Sequence, residues 1–399
     1  MADEQDGRKG AIVDMDMPTL AHAGTRPLSA LVLSGGMALG AFEAGAYAAL
    51  EEAGEPAPDI VVGASAGAVN AAIIAGNPPG ARTEPLRRFW DLMATNPTPA
   101  TTFLFGPPPP VGAWRAAYNE ASALQTLLLG HPSLFRPRLA PGPRIGEAPA
   151  LFDLEPLLAQ LPAFVDFGRL NNGDCRVALV ATDVETGERV VFDTACGAQI
   201  GPRHIVASSA LMPVFAPVEL DGRLLADGGL ASNAPLDLVL DAPRDRPLDC
   251  ILIELFARAG SRPRTLGASV ARAADLSFGN QTERILEGRV REQRLRALVG
   301  RLAARLPEQV QADAEVASLL AEAGHEPPLT LVRIGYRAAR DEAGPGKLFD
   351  FSAATLADRW AAGGEAMQRA LGRLQLPATA TTLAEGLLLH EVEARSGKA

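Results

Sequence analysis

Cysteine is scarce in this chain: Cys175, Cys196 and Cys250 are odd in number and show no C-x-x-C spacing. That pattern argues against a disulfide framework or a thiolate metal centre and fits buried thiols in a reducing compartment. Long apolar runs are missing too. No window approaches the roughly 18 uninterrupted apolar residues that a spanning helix needs, so the expectation is a soluble or peripheral protein. Residues 1–27 carry Asp3, Glu4, Asp6, Asp14 and Asp16 and lack a basic stretch followed by an apolar core. They read as a disordered N-terminal segment, not a secretory signal. Excess positive charge is likewise absent. A formal charge of -10 and a pI near 5.2 argue against a nucleic-acid partner and offer no global attraction to an anionic bilayer. Any membrane contact has to be local, and the expected setting is cytoplasmic, with peripheral contact at the inner membrane face. No internal repeat is found, and no metal or cofactor is expected.

What is present is a large apolar fraction, 47% of 399 residues, enough to bury one large domain with an extension. The stretch with most chemical content is Gly63-Ala64-Ser65-Ala66-Gly67. It follows the β-branched run Asp59-Ile60-Val61-Val62 and precedes an Ala-rich helix former from Ala68 to Ala75. A G-x-S-x-G between strand and helix holds its serine in a tight, strained, exposed turn, and the flanking glycines let strand and helix pack closely. Ser65 is therefore a candidate nucleophile.

Upstream, Leu28 to Leu33 reads as a buried strand that runs into Ser34-Gly35-Gly36-Met37-Ala38-Leu39-Gly40, then a helix from Ala41 to Ala53 capped by Gly54. Strand, glycine loop, helix and strand make a βαβ unit, hence a parallel sheet with helices on its faces. A glycine loop that opens a helix offers backbone N–H groups to an anion, either phosphate or a developing oxyanion. The dinucleotide fingerprint G-x-G-x-x-G would need Gly where Met37 stands, which disfavours a nucleotide site.

Farther along, residues 82–95 read as a helix and 101–114 as a proline-rich loop carrying Phe103, Phe105 and Trp114, either a cover for the core or a lipid-facing lip. Residues 136–150 form another Pro-rich connection. A short helix is expected over 153–161, strands over 176–182 and 189–192, and a helix over 202–210. A hairpin follows, with strands 214–220 and 223–225 about Asp221-Gly222. Its second strand ends in Ala226-Asp227-Gly228-Gly229, an acid beside two glycines that permit close backbone approach. Buried strands are expected over 250–256 and 330–336, and helices over most of 264–323, over 350–374 and over 382–395. The Arg and Glu residues interleaved along 264–323 suggest a solvated surface.

A serine hydroxyl must lose its proton as it attacks, so a base is required within reach. The chain has five histidines: His22, His131 and His204 precede Asp227, and His325 and His390 follow it. A triad in the order Ser65, Asp227 and then His325 or His390 stays open at this point.

Three motifs, Leu31-Val-Leu-Ser-Gly-Gly-Met-Ala-Leu-Gly-Ala-Phe-Glu-Ala-Gly-Ala-Tyr47, Gly63-Ala-Ser-Ala-Gly67 and Ala226-Asp-Gly-Gly-Leu-Ala-Ser-Asn-Ala-Pro235, together resemble the patatin-like phospholipases. The segment Ala207-Ser-Ser-Ala-Leu-Met-Pro-Val-Phe-Ala-Pro217 resembles the one that family places before its D-G-[GA] motif. Phe349-Asp-Phe-Ser352, Arg359-Trp360 and Gly363 resemble a C-terminal extension of one bacterial branch. The resemblance implies an α/β fold, a three-layer α/β/α sandwich over residues 28–258. Residues 259–399 would follow as a mostly helical C-terminal region that adds one strand to the core. It also implies a Ser65–Asp227 dyad with Asp227 as base, and an oxyanion hole from the N–H groups of Gly35, Gly36 and Met37. Gly40, Gly63, Gly67, Gly228 and Gly229 would support these motifs. The implied activity is acyl-ester hydrolysis of a lipid through an acyl-enzyme, phospholipase A or lipase in type. The alternatives are a lysophospholipase or acyl-thioesterase with the same dyad, or a non-catalytic lipid-binding relative. Members of the family usually carry a third glycine where Met37 stands, and many carry Lys or Arg where Leu39 stands, although the bacterial branch with the C-terminal extension often shares an apolar residue there.

Overall fold

The computed structural model describes residues 26–96, 106–107, 111–138, 150–260, 262–322, 324, 326–337, 344–374 and 380–393. The expectations for residues 1–25, Phe103, Phe105 and His325 lie outside them.

The chain opens as its pattern predicts. β1 (Leu28–Leu33) is followed by a 3-10 turn (Met37–Leu39) and α1 (Gly40–Glu52), then β2 (Ile60–Ala64) and α2 (Ala66–Ala75). β1 alternates strictly. Leu31 and Leu33 join the core on one face of the sheet, and Leu28, Ala30 and Val32 join the core on the other. A strand with two buried faces is the mark of a sheet covered on both sides, and helices do cover both. α3 (Thr83–Leu92) and α4 (Ala113–Leu129) come next, followed by the short ladder of β3 (Arg136–Pro137) with β4 (Phe152–Asp153). α5 (Glu155–Gln160) and α6 (Phe167–Asn172) then lead into β5 (Arg176–Asp183) and β6 (Arg189–Asp193). α7 (Pro202–Ser208), β7 (Val218–Leu220) and β8 (Arg223–Asp227) follow, the last two joined at Asp221-Gly222, where both residues take positive φ. The one-turn helices α8 (Gly229–Ser232) and α9 (Asp237–Leu240) precede β9 (Leu248–Glu254).

The ten-stranded sheet has the order β11-β12-β10-β9-β1-β2-β5-β8-β7, with β6 also on β5. β10, β9, β1, β2 and β5 run parallel. The register along β5 decides where the site forms. Its residues 178–182 pair with β6 on one edge. The opposite edge is divided: β2 occupies it up to Ala64, opposite Val180, and β8 begins there with Asp227, opposite Ala181. A parallel strand and an antiparallel strand thus meet end to end against consecutive residues of β5.

The C-terminal region contains α10 (Leu266–Gly279), α11 (Gln281–Ala303), α12 (Glu308–Gln311) and α13 (Ala314–Glu322), then β10 (Leu329–Gly335) and α14 (Ala353–Leu374). β11 (Thr381–Ala384) and β12 (Leu387–Glu393) complete it. Two expectations are corrected here. Of the helix expected over 382–395, the described residues 382–393 form a strand hairpin instead, and the region adds three strands to the sheet in place of one. Leu387-Leu388-Leu389 favours a helix locally, but Gly386 at φ 75° turns the chain and β12 pairs along the whole of β10, so tertiary pairing overrides propensity. Trp114 is not in a loop: it lies in the first turn of α4, exposed. This helix has no counterpart in the sequence reading because its pattern is inverted. Arg115, Asn119 and Thr126 face inward, and Leu124 and Leu128 face out.

α14 lies across α1 through two glycines. A Cβ on Gly45 would overlap the Trp360 carbonyl, and one on Gly363 would overlap the Phe42 carbonyl. Arg359, fully buried beside this contact, donates to the carbonyls of Lys347 and Asp350. Gly363→Leu should lower stability by about 1–3 kcal/mol, read as a lower urea midpoint at unchanged slope. Leu is the better helix former, so a loss would report the blocked approach and not propensity.

Candidate active site

Ser65 sits between β2 and α2 at φ 54° and ψ -123°, a strained conformation for a residue with a side chain. Both flanking glycines of the motif are required by contact. A Cβ on Gly63 would overlap the Gly67 carbonyl, and a Cβ on Gly67 would overlap that of Leu33. The Ser65 N–H donates to Ser208, to its carbonyl and its hydroxyl, each at 3.1 Å. The same Ser208 carbonyl accepts the Gly228 N–H at 3.1 Å, and the Asp227 N–H donates to Ala210 at 3.0 Å. The end of α7 therefore holds the serine turn and the acid turn against one another.

Asp227 is 2% exposed. One carboxylate oxygen, Oδ1, accepts the Gly229 N–H at 2.7 Å. The other, Oδ2, is buried and has no aligned partner among the described residues. The Ser65 hydroxyl is close enough to act on the carboxylate as a hydrogen-bonding neighbour. Burial pushes the Asp227 carboxyl up from 3.8 to about 6, with the Ser65 hydroxyl and the Gly229 N–H pulling the other way.

The glycine loop packs directly on Ser65: a Cβ on Gly35 would come within 2.9 Å of the Ser65 Cβ and 2.5 Å of Asn233 Oδ1. Of the three N–H groups expected to form an anion hole, the one on Gly35 is already committed to the Asn233 carbonyl, at 2.9 Å. The N–H groups of Gly36 and Met37 make no hydrogen bond among the described residues. Met37 takes φ 49°, which explains why glycine suits this position. Leu39 is fully buried in the core and brings no charge to the site.

Several residues that hold this arrangement carry no recognisable sequence signal. Gln281, at the start of α11, accepts the Asn233 N–H at 2.7 Å and donates to the Gly229 carbonyl at 3.1 Å. It thereby clamps both ends of the turn that follows Asp227. Asn233 Nδ2 donates in turn to the Gly35 carbonyl at 3.3 Å. Behind the loop, the buried Glu43 accepts from the Ser34 N–H and from Asn70 Nδ2, and Asn70 Oδ1 accepts from Trp90. Burial holds the Glu43 carboxyl well above the usual range. These residues come from five separate segments, so spacing along the chain could not have grouped them.

The described histidines stand apart. His131 contacts the Met93 carbonyl through Nε2 and accepts from the Ser133 N–H. His204 accepts from the Gly201 N–H, with its ring edge-on to Phe192. His390 lies on β12, four strand positions from β2, on the order of 19 Å at the usual strand spacing. Among the described residues no cluster of His, Cys, Asp or Glu has the make-up of a metal site. Ser65 opens onto a narrow cleft whose other lining residues include Met37, Val69, Trp90, Met93, Leu157 and Phe215. Apart from Ser65 and Ser209, its lining side chains are apolar or aromatic.

A family model for patatin-like phospholipases matches residues 31–240, more than half of the chain, and a second one described as patatin phospholipase matches residues 276–379. The chain belongs to the patatin-like phospholipase family and is a lipid acyl hydrolase. Among solved structures, the crystal structure of VipD from Legionella pneumophila matches at 16% identity, with 87% of this chain and 67% of that one covered. Its TM-score is 0.39. Among the described residues no helix is long and apolar enough to cross a membrane.

Asp227→Asn should raise the melting temperature at pH 8. A carboxyl whose folded-state pKa lies above its unfolded value costs stability when it ionises, so the gain is full above about pH 6 and vanishes below the unfolded value of 3.8. Melts at pH 8 and pH 4 read the difference.

Proposed function

We propose that the chain hydrolyses lipid acyl esters with a Ser65–Asp227 dyad through an acyl-enzyme on Ser65. The observation that carries this reading is the buried Asp227 carboxylate, one oxygen of it unpartnered, with the Ser65 hydroxyl as a neighbour that lowers its pKa. Ser65 Oγ attacks the ester carbonyl carbon as its proton passes to Oδ2. The charge that develops on the carbonyl oxygen is met by the N–H groups of Gly36 and Met37, the two donors the loop leaves free, and by the N-terminus of α2. Collapse of the intermediate breaks the ester bond, and the departing alcohol takes the proton from Asp227. Water then attacks the acyl-enzyme, giving its proton to Asp227, and the proton returns to Ser65 as the fatty acid leaves.

An aspartate with its pKa near 6 is a far better base than a free one near 3.9, and it is still ionised at neutral pH. The apolar cleft at Ser65 suits a hydrocarbon chain and has no charged lining residue to receive a phosphate. Its lining therefore bears on the acyl group and not on the head group. The protein would meet its substrate at a membrane surface without spanning it.

Ser65→Ala should abolish turnover of a p-nitrophenyl acyl ester and labelling by a fluorophosphonate probe. A binder without catalysis would leave the parent protein unlabelled. Asp227→Asn should lower kcat by several orders of magnitude, with the fold retained. In the parent, kcat/KM should rise with pH through an apparent pKa near 6, since the base must be ionised. An unshifted acid limb in His390→Gln would separate this dyad from a triad through that histidine.

A further inference from the structure

α11 sorts its charges by face, which the interleaved sequence conceals. On the inner face Arg289 and Arg296 pair with Glu292, and Arg289 also pairs with Glu326. On the outer face, Arg291, Arg294, Arg301 and Arg305 make no ion pair among the described residues, and all four are exposed. At 3.6 residues per turn, Arg291, Leu295, Leu298 and Leu302 fall on a single stripe, with Arg294, Arg301 and Arg305 along its flank. The chain continues past Ala303 in further turns, so Arg305 and Leu306 extend the same surface. The leucines are as open as the arginines: Leu295 is 64% exposed, Leu298 47% and Leu302 58%. Glu287 is an acid on this side of the helix, one turn before the stripe begins.

We propose that this outer face, Arg291 to Leu306, docks the enzyme on an anionic lipid bilayer. The inference rests on the lipid-hydrolase reading only for its biological sense, since the surface itself stands apart from Ser65. Charge argues for the partner. The chain carries a net -10, so unpaired arginines gathered on one helix face are a local reversal of sign, and such a face attracts negative charge without drawing in the rest of the protein. Exposed leucines between the arginines add what a purely ionic contact would lack, since a helix with arginines beside a leucine stripe can lie in the interface with its apolar side chains below the headgroups. A second copy of the chain is a poorer occupant, because matching this face to itself would bring arginine against arginine. The helix also reaches the site: its first residue, Gln281, holds the turn after Asp227.

The test uses the full chain carrying Ser65→Ala, so that vesicles are not consumed. Flotation should recover the protein with vesicles of phosphatidylcholine mixed with phosphatidylglycerol and leave it behind with phosphatidylcholine alone, and rising salt should release it. Each arginine near an anionic surface is worth on the order of fivefold in binding, so R291Q/R294Q/R301Q/R305Q should bind roughly hundreds of times more weakly. L295S/L298S/L302S should also bind more weakly, and what binding remains should be more sensitive to salt. With Ser65 intact, both sets should hydrolyse a soluble p-nitrophenyl ester at the parental rate and keep the parental melting temperature. Failure of that ester assay in the parent would count against the dyad and leave the flotation result to judge the docking face. Equal binding to neutral vesicles, undiminished binding in the arginine set, or loss of binding only on L124S/L128S in α4 would overturn the proposal. So would a dimer in sedimentation velocity that the leucine set dissolves.

Discussion

The site depends on one shared acceptor, the Ser208 carbonyl, which takes the N–H of Ser65 and the N–H of Gly228 together. Neither turn could hold its place alone. Ser65 stands at a positive φ that its side chain disfavours, and Asp227 keeps a carboxylate out of water. Each is held by backbone bonds that β5 aligns, because β2 and β8 end against its consecutive residues Val180 and Ala181. Two residues 162 positions apart in sequence meet because one strand edge is long enough for two partners.

That arrangement stores free energy as well as geometry. An aspartate buried with a free Oδ2 is less stable ionised than it would be in water, and burial pushes its pKa up to about 6 for that reason. The penalty is what makes the group basic, so a better-solvated Asp227 would fold more comfortably and accept a proton less readily. The surrounding core bears the cost. Glu43, Asn70 and Trp90 join the glycine loop to α1, α2 and α3 through buried hydrogen bonds, and the glycine contact between α1 and α14 braces the same helix from outside.

Much of this was legible in the residues. Alternation in Leu28–Leu33, the glycines flanking Ser65 and the Asp-Gly turn before β8 are local rules, and the structure follows them. The illegible parts are those where a neighbour overrides local preference. β12 is a strand because β10 offers it an edge, although Leu387-Leu388-Leu389 is content in a helix. α4 escaped notice because it buries Arg115 and Asn119 and exposes leucine, the reverse of the usual stripe. At the site, Ser65, Asp227 and the loop were visible from their motifs. The commitment of the Gly35 N–H to Asn233, and the clamp by Gln281, are contacts across 198 and 48 residues that no spacing encodes.

α11 shows the same limit from the other side. Read along the chain, its arginines and glutamates interleave like those of a neutral solvated surface. Read around the helix, Glu292 meets Arg289 and Arg296 on the inner side, Glu287 stands one turn before the outer stripe, and the outer arginines keep their charge. Net charge is then a poor guide to what a surface attracts. Within a Debye length of about 8 Å, a partner meeting this face senses the unpaired arginines far more than the -10 spread over the molecule. On the proposed docking, a helix that fixes the Asp227 turn at its first residue and presents that face along its last turns would join membrane contact to the site within one element.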